Sequence, residues 1–111
     1  MKIKTILIIL AGLLIGCSDF NTEPVITSLT ADNTTVSPGG TVLLTCTAED
    51  DNDDSLTYNW ECTSGSIVSN GSTATWTAPG SPGTYSISCK VTDGNEGSTM
   101  EIIDITVLTI L

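Results

Sequence analysis

Between Val42 and Val107 several short runs carry apolar residues at every second position, and that period restricts what the chain can become. Successive side chains on a β-strand point to opposite faces, so alternation marks strands with one buried face. Leu56-Thr57-Tyr58-Asn59-Trp60 is the stretch around which the rest is arranged, with Tyr58 and Trp60 on one face, Cys46 upstream and Cys89 downstream. Val42, Leu44, Cys46 and Ala48 share a face against Thr41, Thr45 and Thr47. Tyr85, Ile87, Cys89 and Val91 line up against Ser86, Ser88 and Lys90, and Ala74 and Trp76 against Thr73, Thr75 and Thr77. Ile103, Ile105 and Val107 complete the inward set. After Pro24 no window carries an apolar face at helical spacing.

Short runs separated by Gly, Pro, Asn and Asp clusters every eight to twelve residues read as a sandwich or barrel. Strands are predicted at Val25–Ala31, Thr41–Ala48, Ser55–Cys62, Ser66–Ser69, Ser72–Ala78, Thr84–Thr92 and Thr99–Val107. Ser37-Pro38-Gly39-Gly40 cannot continue a strand, because proline lacks an N–H and glycine accepts positive φ. Asn70-Gly71 is a two-residue hairpin signal, Pro79-Gly80-Ser81-Pro82-Gly83 a corner, and Asp93-Gly94-Asn95-Glu96-Gly97 a hairpin tip. Val25, Ile26 and Leu29 cannot all face inward without a β-bulge.

The amino terminus has a different character. Met1-Lys2-Ile3-Lys4-Thr5 is basic, and an apolar run follows from Ile6 to Ile15. That is the layout of a secretory signal, and a membrane span would need about twice the apolar length. Leu14-Ile15-Gly16-Cys17 resembles the bacterial lipobox. The resemblance implies that 1–16 is a lipoprotein signal helix, cleaved before Cys17, and that Cys17 is acylated on sulfur. Only a thiol can form the thioether to diacylglycerol, and two or three chains would anchor the protein stably. Residues 17–23 form a short tether, and 24–109 the domain. Ser18 after the lipidated position, with Asp19 one place too late for a retention signal, points to the outer membrane or cell surface rather than the inner membrane.

Once the signal is removed, one basic residue, Lys90, stands against thirteen acidic ones, a side-chain charge of 1 − 13 = −12. The chain has no histidine. Nucleic acid as a partner is excluded, because its phosphates need Lys and Arg. Contact with anionic lipid through basic residues is excluded for the same reason, which leaves the acyl group as the membrane attachment.

Cys46 lies fourteen residues before Trp60, and Cys89 sits on a late strand that begins near Tyr85. This arrangement resembles an immunoglobulin-like sandwich. Leu56–Trp60, the acidic run Glu49–Leu56 and Pro82–Ile87 with Val91–Asn95 resemble bacterial polycystic-kidney-disease (PKD) repeats. The similarity covers about Pro24 to Val107 and implies a single all-β, antiparallel Ig-like/PKD-like β-sandwich of about seven strands. Two departures stand out. Glu61-Cys62-Thr63-Ser64-Gly65 replaces the Asp-Phe-Gly-Asp-Gly-type segment after the tryptophan, and Tyr85 lies four residues before Cys89 rather than two. With Cys17 lipidated, three cysteines remain. The fold implies a Cys46–Cys89 disulfide between opposing strands, and Cys62–Cys89 is the rival pairing.

Glu49–Asp54 holds five carboxylates in six residues. Glu49, Asp50, Asn52 and Asp54 could supply oxygen ligands to Ca²⁺, joined by Asp93 or Glu96 if the loops share one end; the alternative is a solvated acidic turn. The EF-hand pattern fails at its sixth place, where Ser55 stands instead of glycine, and zinc lacks histidine and close cysteines. No other cofactor is expected. Trp60, Trp76, Tyr58 and Tyr85 could stack sugars, but all four alternate with polar residues, so they read as core, with Trp60 and Trp76 as its anchors. Without histidine to serve as a base, and with paired carboxylates confined to a loop, the chain is not expected to be an enzyme. The reading is a membrane-anchored extracytoplasmic binding or adhesion module for a protein or glycan. The alternative is a non-binding spacer or assembly subunit, and the oligomeric state is open.

Overall fold

The computed structural model describes residues 22–51 and 55–109. The signal-like segment, Cys17, Asn52 and Asp54 lie outside them. Eight strands follow in order: β1 (Val25–Ala31), β2 (Thr35–Val36), β3 (Thr41–Glu49), β4 (Thr57–Cys62), β5 (Ser66–Asn70), β6 (Thr73–Thr77), β7 (Gly83–Thr92) and β8 (Ser98–Val107). They form two four-stranded sheets, ordered β1-β3-β6-β5 and β2-β8-β7-β4. The alternating sides meet between the sheets. Val42, Leu44, Cys46, Ala74 and Trp76 come from the first sheet, and Trp60, Ile87, Cys89, Val91, Ile105 and Val107 from the second.

The sequence misses one strand. β2 has two residues, too few for alternation to register, and it runs parallel to β8, so the sandwich is not wholly antiparallel. Thr106 N–H donates to Thr34 O at 2.9 Å and Leu108 N–H to Val36 O at 2.9 Å. Between β1 and β2 the chain crosses from one sheet to the other. At that crossing Asp32 N–H donates to Leu43 O, while the Asp32 carboxylate accepts from Leu43 N–H, both at 3.0 Å. A side chain thus completes the ladder where the backbone departs, on the exposed side of the strand.

β1 contains the bulge its sequence requires. The register shifts between Ile26 and Ser28, leaving Thr27 as the extra residue, whose hydroxyl donates to Thr47 O. Ile26, Leu29 and Ala31 all pack against the core as a result. The β5–β6 hairpin is displaced by one residue from the predicted turn. Asn70 pairs with Thr73, so the two loop residues are Gly71 and Ser72 rather than Asn70 and Gly71. The Thr73 hydroxyl donates to Asn70 O, and Gly71 takes the left-handed φ of 63°.

Both indoles are polar-satisfied inside the sandwich. Trp60 Nε1–H donates to Gly71 O at 2.9 Å, and Trp76 Nε1–H to Ser64 O at 2.8 Å. Gly65 lies against the second contact at φ 84°, and a Cβ there would overlap the Thr77 carbonyl oxygen and press on Trp76 Nε1. Gly71 has open space instead. Gly65→Ala is therefore expected to destabilise the domain by about 2–4 kcal/mol, combining left-handed strain with overpacking. Gly71→Ala should lose only about 1–2 kcal/mol, from strain alone. Urea unfolding of both variants checks this, and equal losses would show that Gly65 is not held by its surroundings.

Candidate functional site

Three regions could carry function: the thiols between the sheets, the loops at one end, and the two outer sheet faces. Cys46 on β3 and Cys89 on β7 belong to opposite sheets and are 1% and 0% exposed. All three described cysteines are free thiols. Cys46 and Cys89 hydrogen-bond through their side chains, so the two meet across the interior. Burial, with that hydrogen bond and the neighbouring sulfur, pushes the Cys89 thiol up to about 12. Burial also raises Cys46, and the Glu101 carboxylate adds to the effect. Tyr58 is raised chiefly by burial. Cys62 lies on the same sheet as Cys89 but pairs with Ile87, while the residue opposite Cys89 is Trp60. Cys46 and Cys89 are thus neighbouring free thiols, and Cys62 is a half-buried free thiol at the end of β4.

The acidic loop begins where β3 ends. Glu49 and Asp51 are exposed and Asp50 is half-buried. Among the described residues no three His, Cys, Asp or Glu side chains converge as metal ligands. Asp93 shapes the neighbouring tip. Its buried carboxylate accepts from Asn95 N–H at 2.7 Å and Gly97 N–H at 2.9 Å, which folds the β7–β8 tip. Glu96 stands in that tip at φ 71°.

The aromatics lie inward. Trp60 and Trp76 are buried, and Tyr58 and Tyr85 are half-buried against the core. Tyr85 packs against Trp76 with ring centroids 6.0 Å apart, and its hydroxyl donates to Ser81 O at 2.6 Å. This tether from a strand back to an upstream turn does the work of a tyrosine corner, although the spacing to Cys89 differs. The signal was present in the sequence as the rigid Pro79–Gly83 corner just before the tyrosine.

The outer faces differ from each other. On the first sheet Thr41, Thr45, Thr47, Thr73, Thr75 and Thr77 surround exposed Leu43 and Val68. On the second sheet the cross-strand register places Asn59, Lys90 and Met100 in one row, and Glu61, Ser88 and Ile102 in the next. Asn59, Glu61, Ser88, Lys90 and Met100 line a shallow depression of about 310 Å³. Met100 and Ile102 are 52% and 56% exposed on this face. Alternation had assigned Ser88 and Lys90 outward. It gave no weight to Met100 and Ile102, because outward apolar residues break the pattern.

Comparison with known proteins bears on the whole domain. A family model described as K319L-like, PKD domain matches residues 30–107. Two solved structures share the fold. The PKD domain of an M14-like peptidase from a Thermoplasmatales archaeon is 23% identical, with a TM-score of 0.64 over 79% of this chain and 98% of that one. The PKD1 domain of Vibrio anguillarum Epp is 22% identical, with a TM-score of 0.60 over 82% of this chain and 100% of that one. No curated protein matches.

The thiol pair makes stability depend on pH in one direction. Both folded-state values lie above those of an unfolded cysteine, so the stabilising effect of the protonated thiols is full below about pH 8.5 and fades as pH rises toward 12. The urea midpoint of the reduced full chain is expected to fall between pH 8 and 10. A chain in which these thiols are joined as a disulfide should hold its midpoint over that range. Parallel curves for the two forms would contradict the buried-thiol geometry.

Proposed function

The chain belongs to the K319L-like PKD domain family, and from that premise we propose that it is a lipid-anchored, extracytoplasmic contact module acting at the cell envelope. PKD domains in general are extracellular adhesion or spacer modules and are non-catalytic. The observation that favours contact over spacing is the outer face of the β4–β7–β8 ribbon. It combines two exposed apolar side chains, a depression and Lys90, the only basic residue of the described chain. A pure spacer has no use for that grouping, which reads as a protein-binding surface. Glycan stacking has less support, since the four aromatics of the described domain face the core.

The anchor rests on the basic start, the short apolar run and Leu14-Ile15-Gly16-Cys17. In such a compartment thiols are oxidised, and the contact between Cys46 and Cys89 supports their closure as a disulfide, with Cys62 remaining a thiol. Closing a loop of ~44 residues would add up to ~4 kcal/mol in the chain-entropy model. A loose Ca²⁺ site at Glu49, Asp50, Asn52 and Asp54 remains part of the proposal only as a titration: a rise in melting midpoint with millimolar Ca²⁺ supports it, and no rise removes it.

Expression of the full chain in a Gram-negative host tests the anchor. The unaltered chain is expected in the membrane fraction, and Cys17→Ser in the soluble fraction; equal partition of the two rejects lipidation at that position. In-cell formaldehyde crosslinking tests the contact. Met100→Glu with Ile102→Glu is expected to abolish the adducts of the chain, whereas Leu43→Glu with Val68→Glu on the opposite face keeps them. Adducts that ignore both pairs of substitutions would favour the spacer.

A further inference from the structure

We propose that the partner of the β4–β7–β8 face is a second copy of this chain, packed face to face about a two-fold axis perpendicular to the strands. The inference rests on the contact reading above and specifies its partner. A two-fold interface must be complementary to itself, each residue meeting its counterpart's neighbour reciprocally. Few arrangements on one face satisfy that condition, and this face does.

The rows supply the argument. Asn59, Lys90 and Met100 lie on adjacent strands in one row, and Glu61, Ser88 and Ile102 in the next, two residues along. An axis between these rows, perpendicular to the strands, keeps each strand over its own counterpart and exchanges the two rows. Met100 of one copy then lies over Ile102 of the other, and Ile102 over Met100. Lys90 lies over Ser88, one strand from Glu61 of the other copy. An axis parallel to the strands fails, because it sets Lys90 against Lys90 and Glu61 against Ile102.

Charge completes the match. Lys90 and Glu61 are diagonal neighbours on one face, yet neither is ion-paired within the described chain, so both remain available to a second copy. Two reciprocal Lys90–Glu61 pairs would form at the rim of the apolar contact. The exposed Ile102 side chain of one copy would enter the depression beside Met100 of the other, which otherwise stands open to water. Strands ~4.8 Å apart and rows ~6.8 Å apart make this a patch of a few hundred Å² per copy. That is the range of weak, reversible contacts. Confinement of both copies to one membrane surface would raise their effective concentration and favour pairing.

The test uses the full chain in cells, with the photo-crosslinking residue p-benzoylphenylalanine at Ile102. The expected product is an adduct of two copies, shown by co-expressing copies that carry two different tags. Lys90→Glu alone and Glu61→Lys alone are each expected to lower its yield about tenfold, a loss of 1.4 kcal/mol. The double variant Lys90→Glu with Glu61→Lys should restore it, because each new charge again meets its opposite. Circular dichroism melting of each variant separates loss of pairing from loss of fold, and Lys90→Gln serves as a milder substitute should the charge reversal unfold the domain. An adduct only with a different protein, or no rescue in the double variant, overturns the second copy as partner while leaving the contact surface standing. No adduct of any kind overturns both.

Discussion

Two indole N–H groups hold this domain together. Trp60 belongs to one sheet and reaches the Gly71 carbonyl in a turn of the other; Trp76 belongs to that other sheet and reaches the Ser64 carbonyl in the connection between them. Each ring fills the space between sheets, and its one polar atom is satisfied there rather than stranded. The carbonyls come from the two turns that flank β5, one before it and one after it, so the indoles fix how β4 and β5 lie over each other. Gly65 follows from this constraint, since only a residue without a Cβ fits between Thr77 and the Trp76 nitrogen.

With the sheets fixed, the remaining features follow by parity. Inward positions on β3 and β7 bring Cys46 against Cys89 in a dry interior, where burial keeps both thiols protonated. Outward positions on β4, β7 and β8 bring Glu61, Lys90, Met100 and Ile102 onto one surface. A single alternation thus produces both the staple candidate and the proposed contact face. The two are separated by the thickness of one sheet, so outward substitutions leave the thiols untouched.

Most of the architecture was legible because burial on one face writes a period of two into the sequence. Val42 through Cys46, Ile87 through Val91 and Ile105 with Val107 are all buried as their parity requires. The bulge in β1 was legible for the same reason, since three apolar residues there could not share a face. What escaped was local. β2 has two residues and no period, and the β5–β6 turn moved by one residue because Thr73 pairs with Asn70 and its hydroxyl adds a hydrogen bond there. The proposed contact face escaped because its residues come from three strands and become neighbours only through register. Met100 and Ile102 are unremarkable as a sequence and become a patch only beside Lys90 and Glu61. The likeness to other PKD domains likewise speaks for the sandwich, and its partners must be sought in the surface of this chain.

The central claim is that both indoles are locked between the sheets by turn carbonyls. Hydrogen–deuterium exchange of the two indole N–H resonances in the folded full chain measures it most directly. The account requires both protons to exchange as slowly as the backbone amides of β3 and β7, through global opening alone. Exchange of either indole at the rate of the loop amides would contradict it.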